Sequence, residues 1–350
     1  MTLKKRSTKL LIIIALLIIS FSAGILIFGY NLMNKSNFHT PKNKKVLVFI
    51  RETDSFASIL DTLSAKGYLK NRKNFEIYAK TRKLEDKLKV GCYAIKSGMT
   101  NREFFNTVCL GWQTPVQLKF NNIRFNQQLA SRVAKQVNID SAEMCNYLND
   151  YEFLAKYGFN PQTVIAMFIP NTYEVYWTIS AEQLFDRMKK EYEKFWNEER
   201  LAKAEKIPLT PLEVSILASI VEEESNKKHE KPIIAGLYIN RLHRKIPLQA
   251  DPTARYALGD FSVTQITFAY TEINSPYNTY KNQGLPPGPI RMPSIEGLDA
   301  VLNYAHHDYL FMCAKPELNG EHNFAQTIAE HDKNADAYHK AYRNWKKNQK

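Results

Sequence analysis

Leu10 to Tyr30 runs for 21 residues without a charged side chain. As a helix rising 1.5 Å per residue such a segment is about 31 Å long, which matches the hydrocarbon core of a bilayer. Lys4, Lys5, Arg6 and Lys9 precede the run, and Lys35, Lys42, Lys44 and Lys45 come after it. The cluster before the span is tighter and closer. It predicts a cytoplasmic tail over 1–9, a single-pass transmembrane helix over 10–30, and the bulk of the chain outside the cytoplasm at the cell (inner) membrane. A cleaved signal peptide is the alternative, because Ser20-Phe21-Ser22-Ala23 has the small residues of a cleavage site. The apolar run continues past it through Ile25, Leu26, Ile27 and Phe28, which favours an uncleaved anchor.

Composition narrows the class of the chain beyond the span. Hydrophobic residues at 44% and charged residues at 24% are globular proportions and exclude a largely disordered chain. Cys92, Cys109, Cys145 and Cys313 are too few and too scattered for a disulfide framework or a paired-cysteine zinc site. The net charge of +13 suits an anionic lipid, an acidic polymer or a nucleic acid, or is simply a lysine-rich surface. No nucleic-acid-binding motif accompanies it, so nucleic acid is not an expected partner. His306-His307-Asp308 stands without an HExxH or spaced Cys/His set, so neither metal nor cofactor is expected.

The polar stretch over 31–45 reads as a linker. Val46 to Ile50 is then a strand candidate, succeeded by helical spacing at Phe56, Ile59, Leu60 and Leu63 with Gly67 as the stop. A second helix is expected from Lys73 to Arg82 and a strand over Cys92–Ile95. Thr100 with Glu103 forms a capping box opening a helix towards Gly111, and Val116 to Phe120 is a further strand. These elements make a small β-α-α-β-α-β segment over 46–118, whose first four form a β-α-α-β module. The remainder, 119–350, is expected as a mixed α/β domain, so the fold class is α+β. Helical pattern covers Phe125 to Gly158, and a single charged amphipathic helix is expected from Ala181 to about Glu205.

Thr210-Pro211-Leu212-Glu213 marks a helix start: an N-cap threonine, proline in the first turn and glutamate at the third position. At about 100° per residue, Val214, Ile216, Leu217, Ile220 and Val221 share one face. Glu224 comes seven residues after Leu217, four after Ile220 and three after Val221, so it stands near the centre of that stripe. Glu222 points almost the opposite way, and Glu223 sits at the flank. Burial would raise the pKa of Glu224 and suit it to act as a general acid on a glycosidic bond. If the helix ends earlier, all three glutamates are solvated residues of a last turn. Periodicity alone leaves both readings open.

Ala218-Ser219-Ile220-Val221-Glu222-Glu223-Glu224-Ser225 resembles the ASIVExE signature of the endolytic murein transglycosylases (the MltG or YceG-like family). The same resemblance extends through Asn240-Arg241-Leu242, Leu248 to Thr253, the SPYNTY run from Ser275, the GLPPGPI run from Gly284, Gly320 to Phe324 and Glu330-His331. More loosely it reaches Gly91-Cys92-Tyr93 and Gly98-Met99-Thr100, which correspond to turns of a LysM-like domain. The chain departs from the family in the middle segment, where Ile169-Pro170-Asn171-Thr172-Tyr173 stands for FPDTY and Phe120-Asn121-Asn122-Ile123 for IPEG.

The resemblance implies a membrane-anchored lytic transglycosylase. Its substrate would be nascent peptidoglycan glycan strands, cut internally between N-acetylmuramic acid and N-acetylglucosamine with a 1,6-anhydro end, which terminates elongation. Peptidoglycan synthases are its candidate partners. The second acid of ExE maps onto Glu224 as the catalytic residue. Gln249, Asp251, Thr253, Tyr277, Asn278, Thr279 and His322 are the candidate substrate contacts, and Asp251 is also a candidate second carboxylate or a turn-former before Pro252. Two rival functions are a muramidase hydrolysing the same bond through Glu224 and Asp251, and a non-catalytic peptidoglycan-binding scaffold.

Overall fold

The computed structural model describes residues 2–262 and 268–348, with the side chains of 2–8 and Phe268 outside the description. The predicted basic tail, with Lys4, Lys5 and Arg6, is therefore described only as backbone. The chain divides into two compact units, one reaching Gln117 and including Glu174–Thr178, the other holding Leu118–Tyr173 and Ile179 onward.

The first unit begins with helix α1, Thr2–Asn34. Its stretch Lys9–Asn34 is long and apolar enough to cross a membrane, and Leu10 to Phe28 present exposed apolar side chains. Strand β1 (Val46–Ile50), helices α2 (Phe56–Ala65) and α3 (Arg72–Thr81), and strand β2 (Gly91–Ile95) come next in the expected order. β1 pairs antiparallel with β2, from Val46 opposite Ile95 to Ile50 opposite Gly91. Helix α4 (Asn101–Leu110) opens on the capping box, with Glu103 N–H donating to Thr100 Oγ1 at 3.1 Å and Thr100 N–H to Glu103 Oε2 at 2.7 Å.

The stretch expected as a linker is built into this unit. Phe38 is fully enclosed and stacks on Phe104, with ring centroids 4.8 Å apart. Asn101 Nδ2 donates to the Leu32 carbonyl at 2.8 Å, Asn37 Nδ2 to Asn101 Oδ1 at 2.8 Å, and Asn71 N–H to Asn37 Oδ1 at 2.8 Å. The side chains of Asn37 and Asn101 thus satisfy backbone groups left over where α1 ends and α3 begins. Polar composition alone does not distinguish such a clasp from a tether.

The chain passes between the units inside strands β3 (Val116–Lys119) and β4 (Thr172–Val175). Within the second unit, helices α5 (Asn126–Ala134), α6 (Ser141–Asn149) and α7 (Tyr151–Ala155) occupy the predicted helical stretch. The single helix expected after Ala181 is two, α8 (Ala181–Phe195) and α9 (Glu198–Lys206). Trp196 leaves the helix to enter the core at 5% exposure, and Asn197 caps the second helix by accepting from Arg200 N–H at 3.0 Å.

Helix α10 (Pro211–Glu224) is the axis of this unit. Every residue from Val214 to Val221 is buried, including Ser215, Ala218 and Ser219, so the helix is enclosed all round rather than along one stripe. It packs between α11 (Lys231–His243) and, beyond α12 (Asp251–Leu258) and α13 (Phe268–Thr271), helix α14 (Ile295–Leu302). The Gly284–Ile290 loop also serves it. Ile290 N–H donates to Ser219 Oγ at 3.0 Å, and a Cβ on Gly288 would stand 2.1 Å from the Gln162 carbonyl oxygen, a separation only glycine tolerates. An antiparallel hairpin of β5 (Phe311–Ala314) and β6 (His322–Ala325) and a final helix α15 (Ile328–Asn348) complete an α+β architecture.

Candidate active site

Glu224 is the last residue of α10. The helix starts at the Thr210 capping box, where Glu213 N–H donates to Thr210 Oγ1 at 3.3 Å, and stops at Ser225, whose backbone is extended. The carboxyl group is partly buried and opens into a cavity of about 510 Å³ in the second unit. Residues of α10, α11, the 248–251 loop, the β5–β6 hairpin and α15 line that cavity. Burial pushes the Glu224 pKa up to about 7; the Tyr238 hydroxyl donating to Oε1 opposes the rise, while the negative charge of Asp251 adds to it. A carboxyl poised there is divided between its protonated and ionised forms near neutral pH, so it can both give and take a proton, which is what general acid–base chemistry needs.

Arg241 belongs to the quoted Asn240-Arg241-Leu242 run, but sequence reasoning gave neither it nor Tyr238 a role in the site, although both line the cavity. They stand three apart on α11 and therefore share a face. Burial, with the Glu224 charge beside it, lifts the Tyr238 pKa far above its ordinary value, so the phenol remains an O–H donor. Arg241 is 6% exposed and has no carboxylate among its hydrogen-bond partners. Its Nε donates to the Leu310 carbonyl at 2.7 Å, and its Nη1 to the carbonyls of Pro247 and Leu248 at 3.0 and 2.7 Å and to Gln249 Oε1 at 3.2 Å. It ties the hairpin to the loop that carries Gln249 and Asp251. The signal available in the sequence was an arginine close behind the apolar run 233–239, which, if buried with it, must find acceptors at long range.

Of the predicted contacts, the structure brings Gln249, Asp251 and His322 to the cavity of Glu224. Gln249 has a left-handed backbone, φ 51°, held by its N–H donating to the Thr279 carbonyl at 3.1 Å. Asp251 opens α12 rather than a turn, and its Oδ1 accepts from the Tyr280 hydroxyl at 2.5 Å. Thr253, Asn278 and Thr279 belong elsewhere: none is more than 1% exposed. Thr253 Oγ1 bonds the Ala250 carbonyl and Thr279 Oγ1, each at 2.7 Å, and Asn278 Nδ2 donates to the carbonyls of Thr271 and Ile273 at 2.8 Å. They brace the loop instead of touching solvent. Tyr277 packs against the core beside Tyr256, with ring centroids 4.7 Å apart, and does not line the cavity. These residue types offer the same hydrogen bonds to a sugar as to backbone, so only their enclosure separates the two roles.

The two other glutamates are anchored away from the cavity. Glu222 accepts from Ser294 N–H at 2.7 Å. Glu223 receives Arg124 at 2.6 Å and Arg291 at 2.6 Å, all three side chains being at most 25% exposed. Glu223→Ala leaves two guanidinium groups facing each other with no anion between them. It is expected to lower stability by about 3 kcal/mol, measured as the change in urea unfolding free energy. Glu222→Ala, which loses the bond from Ser294 N–H and a longer ion pair with Arg291 at 3.9 Å, should lose about 1 kcal/mol. In the His306-His307-Asp308 run, His307 Nε2 lies 2.9 Å from the Ile233 carbonyl and its Nδ1 accepts from Tyr309 N–H at 3.1 Å, so both ring nitrogens are engaged by backbone. The four cysteines are free thiols.

The chain is similar to known proteins over most of its length. An endolytic murein transglycosylase of Bacillus subtilis (strain 168) is 29% identical over 348 residues, covering 90% of each chain. One from Streptococcus pneumoniae serotype 2 is also 29% identical, over 88% of this chain but 61% of its own length. The chain therefore spans about three fifths of that relative. A crystal structure of a yceG-like protein from Listeria monocytogenes shares 29% identity and a TM-score of 0.56, covering 84% of this chain and 99% of the other. The model of the YceG-like family matches residues 48–337, most of the chain, and the chain belongs to that family.

Proposed function

We propose that the chain is an endolytic peptidoglycan lytic transglycosylase with Glu224 as its single acid–base group. The observation that carries this reading is a carboxyl with its pKa pushed to about 7, opening into a cavity large enough for a sugar, in a YceG-like chain. Glu224 protonates the glycosidic oxygen as the bond to the muramic C1 breaks. The same carboxylate then takes the proton of the muramic C6 hydroxyl, whose oxygen closes on C1 as a 1,6-anhydro ring. No water enters and the carboxyl ends protonated, as it began. Gln249 and His322 are the side chains we assign to holding the glycan.

The muramidase alternative rests on Asp251, which lines the same cavity and whose charge Glu224 feels. Mass spectrometry of the products from purified strands separates the two readings, because an anhydro end is one water lighter than a reducing end. Reducing ends would replace the lyase by a hydrolase. Binding to sacculi with no fragment released would leave only a scaffold.

In this reading α1 is an uncleaved anchor in the cell membrane, with the rest of the first unit and the whole second unit outside the cytoplasm and peptidoglycan synthases as neighbours. The β-α-α-β unit is a LysM-like module that grips glycan. A groove of about 190 Å³ beside β1 and α2, lined by Phe49, Arg51 and Tyr68 among others, is the place for it. A reporter fused after Lys350 is expected to be active only if it works outside the cytoplasm. Activity of a cytoplasm-only reporter reverses the orientation, and a mature N-terminus near Ala23 replaces the anchor by a signal peptide.

A further inference from the structure

Glu230, at the start of α11, is 2% exposed and, among the described residues, has no lysine or arginine as an ion-pair partner. Three donors surround it: the His322 backbone N–H at 2.7 Å from Oε1, and the Ser225 hydroxyl at 2.8 Å and His322 Nδ1 at 3.0 Å from Oε2. Burial alone pushes its pKa up. The bonds from His322 and Ser225 outweigh that and hold it below the ordinary carboxylate range, so the group is an anion that only accepts. Ser225 is the residue directly after Glu224, and His322 lines the Glu224 cavity from β6. One buried carboxylate thus joins the end of the helix that carries the acid to a strand that lines the same cavity.

We propose that Glu230 is a positioning residue that fixes His322 in its Nδ1–H tautomer, leaving the Nε2 lone pair turned to the cavity as an acceptor for a glycan hydroxyl. This rests on the reading of the cavity as a glycan cleft and assigns one of the side chains that line it. A neutral imidazole carries one proton, and the nitrogen facing a carboxylate must be the one that has it. Among the described residues the other nitrogen has no hydrogen-bond partner, and His322 is one of the side chains that line the cavity. A purely structural staple between α11 and β6 needs only the backbone N–H and the serine hydroxyl; the ring contact adds orientation.

Two substitutions separate the roles. Glu230→Gln keeps the shape and an acceptor for the His322 N–H, but places an amide NH₂ against Nδ1. The imidazole should then move its proton to Nε2 and present a donor to the cavity. His322→Asn keeps a donor for Glu230 but ends short of the Nε2 position. Full-length protein in detergent micelles, labelled with 15N-histidine, reports the tautomer through long-range proton–nitrogen couplings, with His322→Asn assigning the signal. The wild type is expected to show Nδ1–H and Glu230→Gln to show Nε2–H. Both variants should lose about 10- to 100-fold in kcat/KM on isolated glycan strands while keeping their circular dichroism, the loss expected from one buried group left without its partner. An Nε2–H tautomer in the wild type, or wild-type turnover by folded His322→Asn, overturns the proposal. If the wild type itself releases no fragments, the cleavage reading fails, and the tautomer still decides the role of Glu230.

Discussion

Glu224→Gln is expected to remove glycan cleavage while leaving the protein folded and, above neutral pH, more stable than the wild type. Glutamine retains the size of the side chain and an oxygen for the Tyr238 hydroxyl, but it can neither give nor reclaim a proton. Acid–base groups contribute about 10²–10⁴-fold to rate, and one residue serving both steps should lie at the upper end. The stability effect has a definite sign. Native Glu224 binds its proton more tightly than the unfolded chain does, with a pKa of about 7 against 4.5. The stability contributed by that proton is complete below about pH 4.5, wanes as pH rises and is lost above about pH 7. The pKa difference corresponds to about 3 kcal/mol. Urea unfolding should therefore show the variant level with the wild type near pH 4 and more stable by up to that amount at pH 8. Release of anhydro-ended fragments by the variant at the wild-type rate would remove Glu224 from the mechanism.

The second large effect is expected from Tyr238→Phe. The Tyr238 hydroxyl donates to Glu224, and the bond is strongest when Glu224 is an anion, the state reached once its proton has moved to the glycosidic oxygen. Removing the donor should slow cleavage by about 10- to 100-fold, the worth of a hydrogen bond to a charged group. The wild-type rate should fall on the alkaline side with a midpoint near pH 7, because the acid must begin protonated. Tyr238 lowers the Glu224 pKa, so in Tyr238→Phe that midpoint should move to higher pH. A pH–rate profile of both proteins tests the two statements together. An unmoved limb in a slowed, folded variant would mean that the group titrating there is not Glu224.

What was legible in the sequence is what neighbouring residues decide among themselves. Uncharged length alone marks α1 as long enough for a bilayer. The capping boxes at Thr100–Glu103 and Thr210–Glu213 form where their residue spacing puts them, because each closes over three residues and needs no partner from elsewhere. Helical phase likewise separates Glu224 from Glu222 and Glu223, since the start at Thr210 sets the rotation of every residue after it. The apolar stripe that sets this phase is nevertheless only part of a helix enclosed on all sides.

Tertiary structure alone decided the rest. Tyr238 reaches Glu224 across 14 positions, Glu230 reaches His322 across 92, and Arg241 finds the Leu310 carbonyl 69 residues away. Trp196 breaks a helix that its neighbours would continue, because the core beside it accepts an indole. Thr253 and Thr279 differ from sugar-binding threonines only in being covered. A side chain's chemistry is written in its own residue, but whether it meets water, backbone or a carboxylate depends on what the fold brings against it, and hydrogen bonds between distant segments leave no local pattern to read.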